Sequence, residues 1–329
     1  MHEEILIPEL TDVVARVAPL LGPREGGVAP LDGGITNRNF KVTMGGCDYV
    51  IRLPGKDTNL LGIDRETQRI ANTAAAELGI APRVAAFLES PPCLITFFIS
   101  GREMTAAELR EPETLGEVAR ALRAFHDSGT ELPTAFDSFR IAEEYAQTAT
   151  DRGASLPGEL SAARDRAKAI ERTVQGHPEH RPVPCHDDLL SANFLHDGER
   201  LMIVDWEYAG MGDRYFDLGN FSVNNDLTEA DEDVFLSEYF GEPPDGRRRV
   251  RGGAGLGALL SHRVRARALV RALGRGPDSR RGSRRLPGDR LAAAGEGLPR
   301  VGRGHHSRRH ALRGRGRLLR EARQGVHRA

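Results

Sequence analysis

The stretch VPCHDDLLSANFLHDGERLMIVDWEYAGMGDRYFD, Val183 to Asp217, decides how this chain is read. It sets His186, Asp187, Asp188 and Asn193 in a short, turn-punctuated segment between apolar runs, the setting of a reactive loop held by a rigid scaffold. Asn193-Phe194-Leu195-His196, the Asp197-Gly198 turn and the run LMIV predict a short hairpin that brings Asn193 and Asp205 to one end. A carboxylate and an amide oxygen so placed suit Mg²⁺, a hard cation that takes oxygen ligands. Asp188 beside them is placed as a base for an acceptor hydroxyl, a contribution of roughly 10²- to 10⁴-fold. Asp187 competes for that role, but only Asp188 has the five-residue offset to Asn193. His186 is expected to orient the loop through a backbone hydrogen bond, and Asp217 to brace it from the following helix.

Upstream, Glu3 to Leu21 places apolar residues at helical spacing and predicts one amphipathic helix ending at Gly22-Pro23. A strand over Val28 to Leu31 follows, then the loop GGITNRNF (Gly33 to Phe40). The β-rich runs FKVTM and DYVIRL, joined by Gly45-Gly46, read as a tight hairpin. Gly33 and Gly34 either make a simple turn or, with Thr36 and Asn37 as polar tips, offer backbone N–H groups to phosphates. Arg52 on the second hairpin strand and Glu66, at the start of IDRETQRIANTAAAELG, are expected to pair and aim the Arg52 cation at those phosphates. Arg83 to Leu88 and Cys93 to Ile99 predict two further strands, the second ending at Ser100-Gly101 as a hinge whose backbone could meet an adenine. Helical patterns then run through Leu115 to Phe125, Phe139 to Ala149, Leu160 to Val174 and Thr228 to Phe240, the last with Thr228 and Asp231 spaced as a capping box. His126 reads as a core histidine.

The chain has 329 residues and a formal charge of −1, and that balance hides an asymmetry. Residues 1–246 carry 22 basic and 43 acidic groups, residues 247–329 carry 24 and 4, so −21 and +20 sum to −1. The last segment is rich in Arg, Gly, Ala and Leu and has no Lys, Ile, Phe, Tyr, Trp, Met, Thr, Asn or Cys. One reading is a disordered basic arm for nucleic acid or an anionic surface. GC-rich DNA translated in a shifted frame accounts for more of the missing residue types and is the preferred reading, with nucleic-acid binding not expected. Three scattered cysteines without metal spacing, no signal-peptide pattern and no apolar run of membrane-spanning length predict a cytoplasmic protein without membrane insertion.

Taken together, residues from about Leu31 to Phe240 resemble the choline/ethanolamine kinase branch of the aminoglycoside phosphotransferase family. The resemblance is carried by GGITNRNF, VIRLPG with Arg52 where many relatives have Lys, CHDDLLSAN, and IVDWEYAG followed by FDLGN. It implies an α+β, protein-kinase-like bilobal fold, with an antiparallel β N-terminal nucleotide-binding lobe (1–98) and a mainly helical catalytic lobe (99–246), followed by the atypical tail (247–329). It implies ATP and Mg²⁺ as cofactors and a small-molecule acceptor with a hydroxyl, choline- or ethanolamine-like, with an aminoglycoside or other sugar-like acceptor as the alternative. By that likeness Asp188 is the catalytic base, Asn193 and Asp205 hold Mg²⁺, Arg52 and Glu66 aim the phosphates with Gly33, Gly34, Thr36 and Asn37 over them, and Glu207 and Tyr208 border the acceptor. Choline kinases finish the acceptor pocket with aromatic residues from C-terminal helices, and no aromatic residue lies beyond Gly246. A third outcome is therefore an inactive, nucleotide-binding product of a gene disrupted near residue 247.

Overall fold

The computed structural model describes residues 7–31, 37–55, 62–156, 158, 160–176 and 180–243, all within one compact unit. Its first layer is a five-stranded antiparallel sheet built from β1 (Arg24–Leu31), β2 (Asn37–Met44), β3 (Cys47–Pro54), β4 (Val84–Glu89) and β5 (Pro92–Phe97), in the order β1-β2-β3-β5-β4. Met44 pairs with Cys47 across a two-residue turn in which Gly45 (φ +53°) and Gly46 (φ +79°) are both left-handed. That conformation matches the twist of the strands it joins and favours glycine at both positions. β1 is longer than the expected strand, beginning at Arg24, and carries a register irregularity between Arg24 and Val28.

One face of the sheet is closed by α1 (Pro8–Leu21), whose Leu10, Val13 and Val17 are buried together with Val42, Met44, Ile51, Leu53 and Ile95. The helix starts at Pro8, a first-turn position where proline's fixed φ suits the helix and its missing N–H costs nothing. Residues 3–6 of the expected helix lie outside the described residues. α2 (Arg65–Glu77) follows β3, capped by the Asp64 carboxylate, which accepts from the Thr67 N–H at 2.7 Å.

The second half is mainly helical. It comprises α3 (Ala106–Leu109), α4 (Pro112–His126), α5 (Ser138–Asp151), α6 (Leu160–Gln175), α7 (Arg214–Asn224) and α8 (Glu229–Phe240). α8 begins with the expected Thr228/Asp231 capping box and stops at a left-handed Gly241. Leu115, Val118, Leu122 and Phe125 of α4 share a core with Trp206, Phe221, Phe235 and Tyr239. Five short strands lie among these helices: β6 (Arg102–Glu103), β7 (Val183–Cys185), β8 (Phe194–His196), β9 (Leu201–Ile203) and β10 (Gly210–Gly212). β8 and β9 form the expected hairpin, Phe194 opposite Ile203, with β6 on its other edge, and β7 pairs with β10. Among the described residues no helix is long and apolar enough to cross a membrane.

Candidate active site

β7 delivers the chain into the loop His186–Asn193, and α7 holds that loop by its backbone. Asp217 accepts the His186 N–H on Oδ2 and the Asp187 N–H on Oδ1, both at 2.7 Å. Asn220, one turn further along α7, accepts the Leu189 N–H at 2.7 Å. These bonds fix a segment that turns through a left-handed residue, Asp187 at φ +67°, a conformation that Asp tolerates better than bulkier side chains. His186 is fully buried: its Nε2–H donates to Val204 O at 3.0 Å and its Nδ1 accepts the Asp188 N–H at 3.2 Å. Both ring nitrogens are thus committed to backbone, and burial lowers the imidazole pKa, which keeps the neutral form that this arrangement uses.

Asn193 closes the loop by donating from Nδ2 to Asp188 O at 2.7 Å and to Asp188 Oδ2 at 3.3 Å. Its own carbonyl accepts the Val204 N–H at 2.9 Å, so the β8–β9 hairpin sets Asn193 beside the start of the Asp205 segment. Asp205 is left-handed (φ +67°) and leads a 3₁₀ turn, Trp206–Tyr208. The carboxylate of Asp205 accepts from Arg52 Nη1 on β3. Arg52, Asn193 and Asp205 line one cavity of about 340 Å³ with Val50, Thr96, Phe97, Phe98 and Ile99. Gly101 lies on the same wall where no side chain fits, since a Cβ there would stand 2.7 Å from His196 O.

The expected Arg52–Glu66 pair is replaced by different partners. Glu66 is half-exposed and bonded to Arg69, while Arg52 pairs with Asp205. Helix geometry gives the reason: Arg65, Gln68 and Asn72 share one side of α2 at i, i+3 and i+7, and Glu66 with Arg69 occupies another. The inward cation is Arg65, which the sequence reading passed over. Arg65 donates from Nη2 to Asn37 Oδ1 at 2.9 Å and from Nη1 to Gln68 Oε1 at 2.9 Å and Glu207 Oε2 at 3.3 Å. Asn37 Nδ2 in turn donates to Glu207 Oε2 at 2.6 Å. Burial pulls the Arg65 pKa down, with Arg52 adding to the effect, against the support of Glu207 and Asp205.

Gly33, Gly34 and Thr36 lie outside the described residues, and Asn37 is the first described residue after them. His126, read as a core histidine, is buried and also bridges Tyr239 and Asp217. Tyr208 is largely buried, and burial raises its phenol pKa, assisted by Glu207, Tyr145, Asp188 and Asp205. The oxygens of Asn193 and Asp205 on a shared wall are the donor set a divalent hard cation takes.

An antiparallel sheet with a cation on its third strand, facing an Asp–Asn–Asp set in a helical half, is the layout of a kinase-like phosphotransferase. Residues 27–252 match the model of the phosphotransferase enzyme family, and the chain belongs to that family. It is 26% identical over 213 residues to the protein LicA of Haemophilus influenzae, an alignment covering 63% of this chain and 61% of that protein. To the mouse choline/ethanolamine kinase it is 27% identical over 222 residues, covering 60% of this chain and 54% of the kinase. The chain therefore spans little more than half the length of these curated relatives. A solved choline/ethanolamine kinase family protein from Mesorhizobium loti superposes with a TM-score of 0.63 at 27% identity, covering 80% of this chain and 85% of that one.

Proposed function

We propose that this chain is an ATP- and Mg²⁺-dependent small-molecule kinase that transfers the γ-phosphoryl group to the hydroxyl of a choline- or ethanolamine-like amino alcohol. The observation that carries the reading is the convergence of Arg52, Asn193 and Asp205 on one cavity, with Asp188 hydrogen-bonded to Asn193. Phe97 to Ile99 would face the adenine, and the Arg52 guanidinium would meet the phosphates. Asn193 Oδ1 and Asp205 would hold Mg²⁺, which supplies charge neutralisation across the phosphates when bound.

The chain's own contribution is alignment and one proton. Asp188, with its backbone fixed by His186 and Asn193, accepts the proton of the acceptor hydroxyl. As that oxygen bonds to the γ-phosphorus, the bond from phosphorus to the bridging oxygen breaks and ADP leaves. The loose transition state makes such positioning the main catalytic term. Tyr208, at the end of the 3₁₀ turn that begins beside Asp205, would offer an aromatic face to a cationic amino alcohol. The names of the relatives support the same acceptor class.

The test is the purified full chain assayed with MgATP against choline, ethanolamine, an aminoglycoside and a macrolide. Asp188→Ala should abolish transfer and spare MgATP binding; transfer that survives it would sink the assignment. Preference for a sugar-like acceptor would replace the amino-alcohol reading. MgATP binding with no transfer to any acceptor would favour the disrupted-gene reading, which sequencing the codons around Arg247 would decide.

A further inference from the structure

Arg65, Asn37 and Glu207 form a closed ring of hydrogen bonds from three separate parts of the chain. Arg65 bonds Asn37 and Glu207, and Asn37 bonds Glu207, at 2.9, 3.3 and 2.6 Å. The ring is largely buried: the side chains of Arg65 and Glu207 are 12% and 2% exposed, and Asn37 is buried. Each corner belongs to a different piece of the site. Asn37 opens β2 directly after Gly33–Thr36, Arg65 opens the first turn of α2, and Glu207 stands two residues past Asp205 in the 3₁₀ turn.

We propose that Arg65 is a positioning residue of the phosphoryl-transfer site, acting through Glu207 on Asp205 and through Asn37 on the start of β2. The inference rests on the nucleotide and Mg²⁺ reading of the cavity given above. It assigns Arg65 the alignment role that the sequence pattern gave to Glu66, and it makes the Glu207 carboxylate part of the scaffold behind the metal-binding edge.

The chemistry at Arg65 requires arginine. Its guanidinium presents donors in a rigid planar fork, so one side chain reaches Asn37, Gln68 and Glu207 together. A lysine keeps the charge but as a flexible point, and would hold Glu207 without fixing the angle between Glu207 and Asn37. Arg52 lies close enough to Arg65 to lower its pKa, so two cations face Asp205 and Glu207 in one cluster. Turning Glu207 loose inside that cluster leaves a buried carboxylate beside Asp205, and the Arg52–Asp205 pair would reorganise to answer it.

The test uses the full chain and MgATP, read by the emission of Trp206, the single tryptophan, which adjoins Asp205 and is buried against Phe125 and His186. Removing a partner of this kind behind a metal ligand typically costs 10- to 100-fold in metal affinity or activity. Arg65→Lys should raise the Mg²⁺ concentration needed for half-maximal nucleotide binding by about tenfold, and lower kcat in any active acceptor assay while leaving the acceptor KM within about twofold. Glu207→Gln should do the same, and Arg65→Lys with Glu207→Gln together should cost no more than the worse single change, because both act through one ring. A parent-like Mg²⁺ requirement in a folded Arg65→Lys protein, or additive effects in the double variant, would overturn the proposal. Failure of the parent chain itself to bind MgATP would overturn the cavity reading instead, and the two failures are told apart by that first titration.

Discussion

His126 Nε2 lies 3.0 Å from Asp217 Oδ2 in a fully buried pair that joins α4 to α7 across 91 residues of sequence. The same carboxylate oxygen accepts the His186 N–H, so the scaffold and the reactive loop share one acceptor. The partners set the protons: Arg214 donates to the Tyr239 hydroxyl at 3.2 Å, Tyr239 donates to His126 Nδ1 at 2.6 Å, and His126 donates to Asp217.

This arrangement makes Asp217 a stability element with a definite pH signature. Burial raises its pKa, but the hydrogen bonds it accepts from His126 Nε2–H and from the His186 backbone N–H outweigh burial and hold it below the usual carboxylate value. A depressed carboxylate stabilises the fold above its unfolded pKa and loses that contribution as pH falls through the folded value. Asp217→Asn should destabilise by about 1–3 kcal/mol, because an amide NH₂ replaces one acceptor oxygen and leaves a buried N–H without its partner. It should also flatten the acid limb of a denaturation-against-pH curve, and an unchanged limb would show that Asp217 is not its source.

Asp187 is the opposite case. It is fully buried, neither carboxylate oxygen has a hydrogen-bond partner among the described residues, and burial with Asp217, Asp188 and Asp213 nearby pushes its pKa well up. The folded state therefore binds this proton more tightly than the unfolded chain, so stability falls as pH rises from the unfolded value of about 3.8 towards the folded one. Asp187→Asn keeps a residue that accepts the left-handed backbone and removes the charge. It should match the parent near pH 4 and exceed it at pH 7 by about 1.4 kcal/mol for each unit between 3.8 and the folded pKa, counted no further than pH 7. Urea titrations at the two pH values measure this directly; equal stability at pH 7 would refute it.

Gly101 gives a steric prediction. Its surroundings leave no room for a methyl group, because the nearest atoms are His196 backbone, which cannot rotate aside. Gly101→Ala should cost about 1–3 kcal/mol by overpacking. Because Gly101 also lines the cavity, MgATP affinity should fall with it, whereas Gly129→Ala, at a left-handed glycine (φ +73°) with open space around it and away from the cavity, should cost backbone strain yet leave MgATP affinity unchanged.

What could be read from the sequence follows from distance along the chain. Asp188, Asn193 and Asp205 sit in one loop and one hairpin, so local turn signals place them together. The capping box at Thr228 and the glycine turn at Gly45-Gly46 are equally local. Arg65 meets Glu207 from 142 residues away and His126 meets Asp217 from 91, and no periodicity within a helix names such partners. The helical face did carry a usable signal: Arg65 aligns with Gln68 and Asn72, the inward polar side of α2, and Glu66 does not. The kinase analogy drew attention to a carboxylate at that helix start, whereas the fold turns a guanidinium inward and supplies the carboxylate from Glu207.

The Arg52–Asp205 pair yields a prediction with two opposite signs. In the chain alone, the Arg52 guanidinium bonds the carboxylate proposed to hold Mg²⁺, so cation and arginine compete for Asp205. Both side chains are only partly exposed, at 16% and 23%, which keeps the interaction stronger than a fully solvated pair. Removing the arginine frees the carboxylate and deletes a nearby positive charge. Arg52→Met should therefore bind Mg²⁺ more tightly in the absence of nucleotide, by about threefold to tenfold, or roughly 0.7–1.4 kcal/mol. It should bind ATP more weakly by about tenfold or more, because the phosphates lose their cation. Titrating Mg²⁺ alone and then ATP at saturating Mg²⁺, with Trp206 emission as the signal, separates the two effects. Losses of similar size in both titrations would mean that Arg52 supports the Asp205 segment structurally and does not compete for it.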